Sequence, residues 1–332
     1  MNAQTIIVAS REFMRIQAEH KDFQGPSVAR SGVWPPRQAT TSLAGTMTSI
    51  TACSSMSESA ARKKATPSST FLSGDGEGYE AQMGRWSRQL APLLIGFAGV
   101  TAAGRVLDVG CGTGSLTFAL AQNPRIGSVH GVDFSPVYIE HARQQARDSR
   151  AFFQVGDACA LSFEDASFDH SLSSLVLPFI PDADQAVREM RRVTRSGGTI
   201  AATAWDTRGG LVIYRMFFDT AAVLDEAANV RRAKACIRPA TRQGGMARIW
   251  RDAGLLDVEQ DSLTIRMDFP SFADFWTSLD GKDGPYAEYL VTLDARKKAT
   301  LRDAVAAAYL DGDPDGPRSY SATAWAVKGR VP

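Results

Sequence analysis

The segment "RVLDVGCGTGSLTFAL", residues 105–120, joins a short apolar run to three closely spaced glycines. The apolar run predicts a buried strand, and "SLTFALAQ" after the glycines predicts a helix that ends before Pro124. Glycine adopts positive φ angles and lets the backbone approach a ligand without a Cβ clash. Because ligands bind at the carboxyl ends of strands in open α/β sheets, the segment predicts a ligand-binding loop at a sheet edge.

The segments that follow predict a doubly wound α/β fold. The predicted strands "SVHGVDF", "AFFQVGDA", "FDHSLSSLVL" and "GTIAATAW" alternate with the helices "SPVYIEHARQQARD" and "PDADQAVREMRRVTR". Such alternation gives a parallel sheet with right-handed crossovers. We expect the second of these helices to end at Gly197 and Gly198. A sixth strand is predicted in "LLDVEQDSLTIRMDF" and a last one in "YSATAWAVKG", with further helices at 211–225, 245–252, 271–279 and 287–310.

Composition excludes several classes of protein. The 332 residues include 37 Lys and Arg against 36 Asp and Glu, so the net charge of +1 gives no general basis for binding nucleic acid. No apolar run approaches the roughly 20 residues of a membrane helix, so integral membrane association is not expected. The four cysteines form no CxxC pair, which argues against a metal site or a disulfide framework and favours a cytoplasmic location.

The N-terminal part of the chain differs from the rest. Residues 1–70 are rich in Ser, Thr and Ala and poor in acidic residues, so we expect a disordered extension followed by one domain at 71–332. A transit peptide, or translation that starts at Met47 or Met56, would explain the same composition. Order is expected from about Gly78, where "YEAQMGRWSRQLAPLLIGFAG" has helical spacing of its apolar residues.

The spacing of the glycines bears on the cofactor. The run is GxGxG, whereas a dinucleotide fingerprint is GxGxxG or GxGxxA. Asp108, two residues before Gly110, would repel a pyrophosphate but attract a cation. S-adenosylmethionine carries a sulfonium and an ammonium group and no phosphate. An NAD-linked oxidoreductase of Rossmann fold and a non-catalytic cofactor-binding relative are the alternatives.

Acidic residues also end the next two predicted strands. Asp133 could accept hydrogen bonds from ribose hydroxyls, or it could cap the helix that starts at Ser135. Asp157 could accept from an adenine amine while Ala158 donates to a ring nitrogen, or it could be a turn aspartate. Phe134 could cover the adenine ring or pack in the core.

These stretches resemble the class I S-adenosylmethionine-dependent methyltransferases, in the small-molecule branch that includes the ubiquinone and menaquinone C-methyltransferases. The resemblance is strongest over residues 105–206. It implies a seven-stranded, mostly parallel Rossmann-like sheet that ends in an antiparallel hairpin near 258–265 and 321–327. It also implies a helical insertion at about 266–318, and in-line methyl transfer to a small molecule as the reaction.

The resemblance further implies a set of residues that bind S-adenosyl-L-methionine. Tyr79 would lie on a leading helix that acts as a lid, although it could also be an ordinary surface tyrosine. Arg85, on the same helix, is a candidate partner for the cofactor carboxylate. The full set comprises Tyr79, Asp108, Gly110, Cys111, Gly112, Gly114, Asp133, Phe134, Asp157, Ala158, Ser173 and Ser174.

The methyl acceptor is expected to be an apolar or aromatic small molecule. Trp205, Arg242 and Trp276 are candidate contacts, although both tryptophans could simply belong to the core. No catalytic base is predicted, because "LPFI" follows the fourth strand where many relatives have histidines. Nucleic acid is not expected as a substrate, since no "NPPY"-like segment follows that strand.

Overall fold

The computed structural model describes residues 69–71 and 74–332. The predicted extension at 1–70 therefore lies outside the described residues, apart from Ser69 and Thr70. Helical spacing in the sequence predicts order from about Gly78, but contacts begin earlier in the structure. Both the backbone N–H and the hydroxyl of Thr70 donate to the carbonyl oxygen of Phe179, at 2.8 and 3.1 Å.

The described residues form a seven-stranded sheet in the order β3-β2-β1-β4-β5-β7-β6. Neighbouring strands from β1 to β5 pair in parallel, and β7 pairs antiparallel with both β5 and β6. This is the Rossmann-like fold with a C-terminal hairpin that the sequence predicts. The strands are β1 (Ala103–Val109), β2 (Ile126–Asp133), β3 (Ala151–Val155), β4 (Phe168–Ser174), β5 (Thr194–Trp205), β6 (Leu256–Phe269) and β7 (Arg318–Arg330).

Eleven α-helices accompany the sheet in the described part of the chain. A π-turn at Glu80–Gly84 joins the first two, and 3₁₀ turns lie at Leu177–Phe179 and Pro239–Thr241. None of the described helices is long and apolar enough to cross a lipid bilayer. The helices are α1 (Gly76–Tyr79), α2 (Arg85–Ala98), α3 (Ser115–Ala121), α4 (Pro136–Gln145), α5 (Ala183–Val193), α6 (Val212–Leu224), α7 (Glu226–Ile237), α8 (Gly245–Asp252), α9 (Phe272–Leu279), α10 (Gly284–Leu290) and α11 (Ala295–Leu310).

Alternation along β1 separates two apolar layers. Val106 packs on one face of the sheet with residues of α2 and α3, whereas Leu107 packs on the other with residues of α5 and α8. Successive side chains of a strand point to opposite faces, so the continuous apolar run of β1 serves both layers. A third cluster, rich in aromatic rings, joins α6 and α9 to α11 beside the hairpin.

The end of helix α5 differs from the sequence-based expectation. Helix α5 ends at Val193, before the glycine pair, and Thr194 already pairs with Phe168 in the sheet. A Cβ at Gly198 would lie 2.3 Å from the carbonyl oxygen of Asp169. This glycine therefore permits close approach of two strands, and it does not terminate the helix.

The C-terminal helices also differ from the prediction. The single helix expected at 287–310 is two helices, because Asp294 caps a new one by accepting from the backbone N–H of Lys297 at 2.8 Å. Helix α7 was not predicted. Three helices, α9 to α11, lie between β6 and β7, where the sequence places the insertion at about 266–318.

Candidate functional site

The predicted glycine loop lies where the strand order reverses. β1 is flanked by β2 and β4, so the chain winds in one direction after β1 and in the other after β4. Gly110, Gly112 and Gly114 have φ angles of +73°, +54° and +99°. A Cβ at Gly112 would lie 3.8 Å from the ring of Tyr79, so the bare backbone leaves space beneath that ring. The loop thus occupies the usual ligand position of open α/β sheets.

Asp108 is a buried carboxylate at the end of β1. It is 1% exposed, and its Oδ2 accepts from the hydroxyl of Thr117 at 2.7 Å. Its Oδ1 is buried without a hydrogen-bond partner among the described residues. Burial raises the pKa of Asp108 to about 7. A buried acceptor oxygen with free capacity fits an ammonium group of a ligand, which would relieve this desolvation.

Asp133 connects the glycine loop to the end of β2. Its Oδ2 accepts from the backbone N–H of Gly112 and its Oδ1 from that of Ser135, both at 2.9 Å. Burial raises its pKa above the ordinary value. Because a carboxylate oxygen can accept more than one hydrogen bond, these backbone contacts leave capacity for hydroxyl groups. The carboxylate therefore supports the local turn and still suits a ribose.

Most of the predicted cofactor residues meet around one cavity of about 70 Å³. A recess of about 20 Å³ adjoins it, lined by Asp108 and Cys111. These volumes are below the roughly 300–1,000 Å³ of typical ligand pockets. Phe71 and Tyr79 are among the side chains that border this cavity. The predicted residues that line the cavity itself are Tyr79, Gly110, Gly112, Asp133, Phe134, Ala158 and Ser174.

Three predicted cofactor residues line neither this cavity nor its recess. The Oδ1 of Asp157 accepts from the backbone N–H of Cys159 at 2.8 Å. This contact is that of a turn aspartate, one of the two roles that the sequence allowed. Ser173 is fully buried in β4. Gly114 caps α3, and a Cβ there would meet the ring of Phe118 at 2.7 Å. Its contribution is therefore to the loop conformation.

A second cavity, of about 610 Å³, adjoins the first. The two cavities share the side chains of Phe71, Tyr79, Leu175 and Phe179. Leu175 directly follows β4 and has a φ of +65°, a conformation that costs a branched residue free energy. Such strain is typical of functional sites, and here it occurs at the junction of the two cavities.

The walls of the larger cavity are mostly apolar and aromatic. Trp205, Tyr214 and Phe218 form part of the lining, and Tyr286 of α10 adds another ring. Helix α7 supplies further lining residues that sequence analysis missed, among them Arg231. Their signal was present, because an N-capping aspartate precedes basic residues that recur at helical spacing.

Of the three predicted substrate contacts, the structure brings only Trp205 to this cavity. Trp276 is 6% exposed and packs against Phe217, with ring centroids 6.3 Å apart, so it belongs to the aromatic core. Arg242 is exposed beyond the 3₁₀ turn at Pro239–Thr241 and lines neither cavity. The structure therefore places Trp276 and Arg242 outside the lining of both cavities.

The leading helix lies over the glycine loop, as expected of a lid. Glu80, in the π-turn, accepts from the hydroxyl of Thr113 in that loop and from Arg88. Arg85 does not reach the cofactor cavity. Its Nη1 lies 3.0 Å from Oδ2 of Asp274 on α9, which ties the helix to the insertion.

Comparison with known proteins agrees with this geometry. Residues 107–202 match the family model described as a methyltransferase domain. The demethylmenaquinone methyltransferase of Roseiflexus castenholzii is 40% identical over 107 residues, which are 32% of this chain and 45% of that protein. The ubiquinone/menaquinone biosynthesis C-methyltransferase of a Geobacter species is 37% identical over 128 residues, 37% of this chain and 53% of that protein. The chain thus spans about half the length of these curated relatives.

A solved structure extends the likeness in fold beyond the matched segment. A protein of Anabaena variabilis, named as a methyltransferase from an antibiotic biosynthesis pathway, superposes with a TM-score of 0.50 at 17% identity. The superposition covers 73% of this chain and 97% of that one. Together with the strand order, this superposition shows that the two proteins share a Rossmann-like fold, within which residues 107–202 are similar to the methyltransferase domains of the quinone C-methyltransferases.

Proposed function

We propose that this protein transfers a methyl group from S-adenosylmethionine to a small molecule. The observation that carries the proposal is the shared wall between the two cavities. A cavity at the glycine loop, with the buried carboxylate of Asp108 beside it, adjoins an apolar cavity large enough for a metabolite. Such adjacency is what a two-substrate transfer requires.

The residues around the smaller cavity fit the parts of the cofactor. Asp108, with its unpartnered oxygen, would hold the ammonium group. Asp133 would accept from the ribose hydroxyls, and Phe134 with the backbone of Ala158 would hold the adenine. We retain Asp157 and Ser173 only as residues that shape this edge of the sheet.

The cofactor supplies an already activated methyl group, so the protein needs to position an acceptor and exclude water. The aromatic walls of the larger cavity exclude water and orient an apolar acceptor. Burial raises the pKa of Tyr79 to about 12, so its hydroxyl stays protonated at neutral pH. Tyr79, which borders both cavities, can therefore donate a hydrogen bond but does not act as a base in its resting state.

We infer that residues 71–332 form the methyltransferase domain, with residues 1–70 as an extension. The insertion at about 266–318 contributes Tyr286 and Glu288 to the acceptor cavity, which supports a role for it in substrate choice. A cytoplasmic location and a small-molecule acceptor without nucleic acid are predictions from the composition.

Calorimetric titration of the protein with S-adenosylhomocysteine and with NAD⁺ tests the proposal. We expect saturable binding of S-adenosylhomocysteine and none of NAD⁺, followed by transfer of labelled methyl to at least one member of a panel of aromatic and apolar metabolites. Binding of NAD⁺ alone would favour the oxidoreductase alternative. Cofactor binding without transfer to any member would favour the non-catalytic one.

A further inference from the structure

More basic than acidic side chains line the larger cavity, and a purely apolar ligand would not require them. Three basic side chains, Arg231, Lys234 and Arg238, line it together with one carboxylate, that of Glu288. Arg231 and Glu288 form an ion pair at 3.4 Å. Within the described part of the chain, Lys234 and Arg238 have no carboxylate within 4.0 Å.

Helix α7 and the residue that follows it place these cations beside the cavity. Arg231 and Lys234, three residues apart, lie on the same face of α7, and Arg238 is the C-cap residue directly after Ile237; all three border the cavity. Lys234 is exposed at the rim, and the guanidinium of Arg238 lies 5.1 Å from the ring centroid of Phe179, which borders both cavities. Basic residues near a helix C-terminus are favourable in any case, but that preference does not direct them towards an apolar cavity.

A second observation concerns buried donors in the same cavity. Trp205 and Tyr286 line it, at 8% and 2% exposure. The indole Nε1 of Trp205 and the hydroxyl of Tyr286 are both buried without a hydrogen-bond partner among the described residues. An indole N–H can only donate, so a partner for Trp205 has to be an acceptor. Native proteins seldom leave such groups unpaired, and a ligand that brings acceptor atoms to this wall would satisfy them.

From these observations we propose that the methyl acceptor is an apolar or aromatic molecule that carries an anionic oxyacid group. The apolar body packs against the aromatic walls. The anionic group lies towards Lys234 and Arg238, and neutral acceptor atoms meet Trp205 or Tyr286. The assignment of this ligand as the methyl acceptor rests on the proposed methyltransferase function, whereas the anion site itself rests on the cavity.

Binding of matched naphthalene probes tests the anion site. The probes are 2-naphthoate, 2-naphthyl phosphate and the uncharged 2-acetylnaphthalene, each titrated into the full chain saturated with S-adenosylhomocysteine. We expect at least one anion to bind about tenfold more tightly than the uncharged probe, because hydrogen bonds from Lys234 and Arg238 to an anion are charge-assisted. The carboxylate and phosphate arms tell the two oxyacids apart. Equal binding of charged and uncharged probes, or no binding of either anion, overturns the proposal.

Substitutions of the unpaired cations locate the site. Lys234→Met and Arg238→Met should each weaken the preferred anion about tenfold and leave the uncharged probe within about twofold. Lys297→Met and Arg251→Met are matched controls, because both residues are exposed and line neither cavity. Loss of anion binding in the controls as well, or no loss in the two cavity variants, contradicts the proposal.

Cofactor binding separates failure of this inference from failure of the proposed function. Lys234→Met should bind S-adenosylhomocysteine as the unsubstituted protein does, since Lys234 lies outside the smaller cavity. Cofactor binding without anion selectivity overturns only the substrate class. Anion selectivity without cofactor binding supports the anion site and contradicts methyl transfer.

Discussion

Asp108 illustrates how much one side chain in this site depends on its surroundings. In the unfolded chain it is an ordinary carboxylate. In the fold it is buried beneath a glycine loop, where one oxygen accepts from Thr117 and the other has no partner among the described residues. The resulting pKa of about 7 means that the group is partly protonated near neutral pH. Its charge, and therefore its capacity to hold a cation, depends on pH in the physiological range.

Cofactor affinity should therefore rise with pH. Between pH 6 and 8 we expect the affinity for S-adenosylhomocysteine to increase by about tenfold, because Asp108 ionises through a pKa of about 7. The Asp108→Asn variant should bind weakly and lose this dependence. Calorimetric titrations at several pH values measure both. An unchanged pH profile in the variant would mean that another group is responsible.

In the absence of cofactor, ionisation of the buried Asp108 should lower the free energy of unfolding. The folded-state pKa of Asp108 lies above the unfolded value of 3.8, so its contribution to stability is full below about pH 4 and is lost as pH rises through about 7. Asp108→Asn should thus gain about 2–3 kcal/mol relative to the unsubstituted protein between pH 5 and pH 8.5. Denaturant unfolding at both pH values checks this. The exposed Glu164→Gln is the control, and an equal gain there would contradict the assignment.

The location of single residues at strand ends could be predicted because the carboxyl ends of parallel strands lie at one edge of the sheet. Asp108 and Asp133 are buried at that edge, as their positions after predicted strands imply. The sequence could not decide the direction of a side chain in a turn or in an aromatic core. For that reason Asp157 remains a turn residue and Trp276 a core residue in the structure.

At the scale of elements, a side-chain hydrogen bond links the leading helical segment to the glycine loop. The π-turn at Glu80–Gly84 interrupts the helix over the loop, and Glu80 bonds to Thr113 across the gap. π-turns occur frequently at functional sites, and a helix is weaker where its regular hydrogen bonds change. This segment is consequently suited to open when a ligand enters or leaves.

Removing the hydrogen bond between Thr113 and Glu80 should speed the release of cofactor. We expect Thr113→Val to raise the dissociation rate constant of S-adenosylhomocysteine about tenfold, because a hydrogen bond to a carboxylate is lost while the association pathway is retained. Stopped-flow displacement measures this rate constant. Thr300→Val removes a hydroxyl on the exposed face of α11 and should change nothing. Equal rates in both variants would show that Glu80 and Thr113 do not hold the lid.

Sequence patterns predicted the leading helix but not its π-turn, and they missed α7 entirely. A π-turn changes which backbone groups bond without changing the spacing of apolar residues, so it leaves little trace in periodicity. Helix α7 has only one fully buried residue, Ala228, and therefore lacks the apolar stripe that marks an amphipathic helix. That this helix lines a cavity depends on tertiary packing, which the spacing of residues along the helix does not reveal.

At the scale of the whole molecule, the start of the predicted domain borders the site. Phe71 packs edge-on against Phe179, with centroids 4.9 Å apart, and borders both cavities. The predicted domain start at residue 71 thus lies within a functional contact. A shortened chain should begin no later than Ser69, since Thr70 bonds to the turn after β4.

Phe71 should matter for binding more than for stability. Phe71→Ala in the full chain should weaken S-adenosylhomocysteine about tenfold, because its ring covers the cavity, yet shift the thermal midpoint by no more than about 2 °C, since the ring is only half-buried. Val223→Ala, an exposed apolar position on α6, is the control. Calorimetry and thermal unfolding provide the two readouts. A large thermal shift with unchanged affinity would assign Phe71 a structural role.

The side chains common to both cavities have a thermodynamic consequence. A ligand in either cavity contacts the same four side chains, those of Phe71, Tyr79, Leu175 and Phe179. Any rearrangement of these side chains therefore contributes to the binding free energy of both ligands. Linkage then requires reciprocity: the factor by which an acceptor alters the affinity for cofactor is the factor by which cofactor alters the affinity for acceptor. The wall between the two cavities is thus also a means of communication between their ligands.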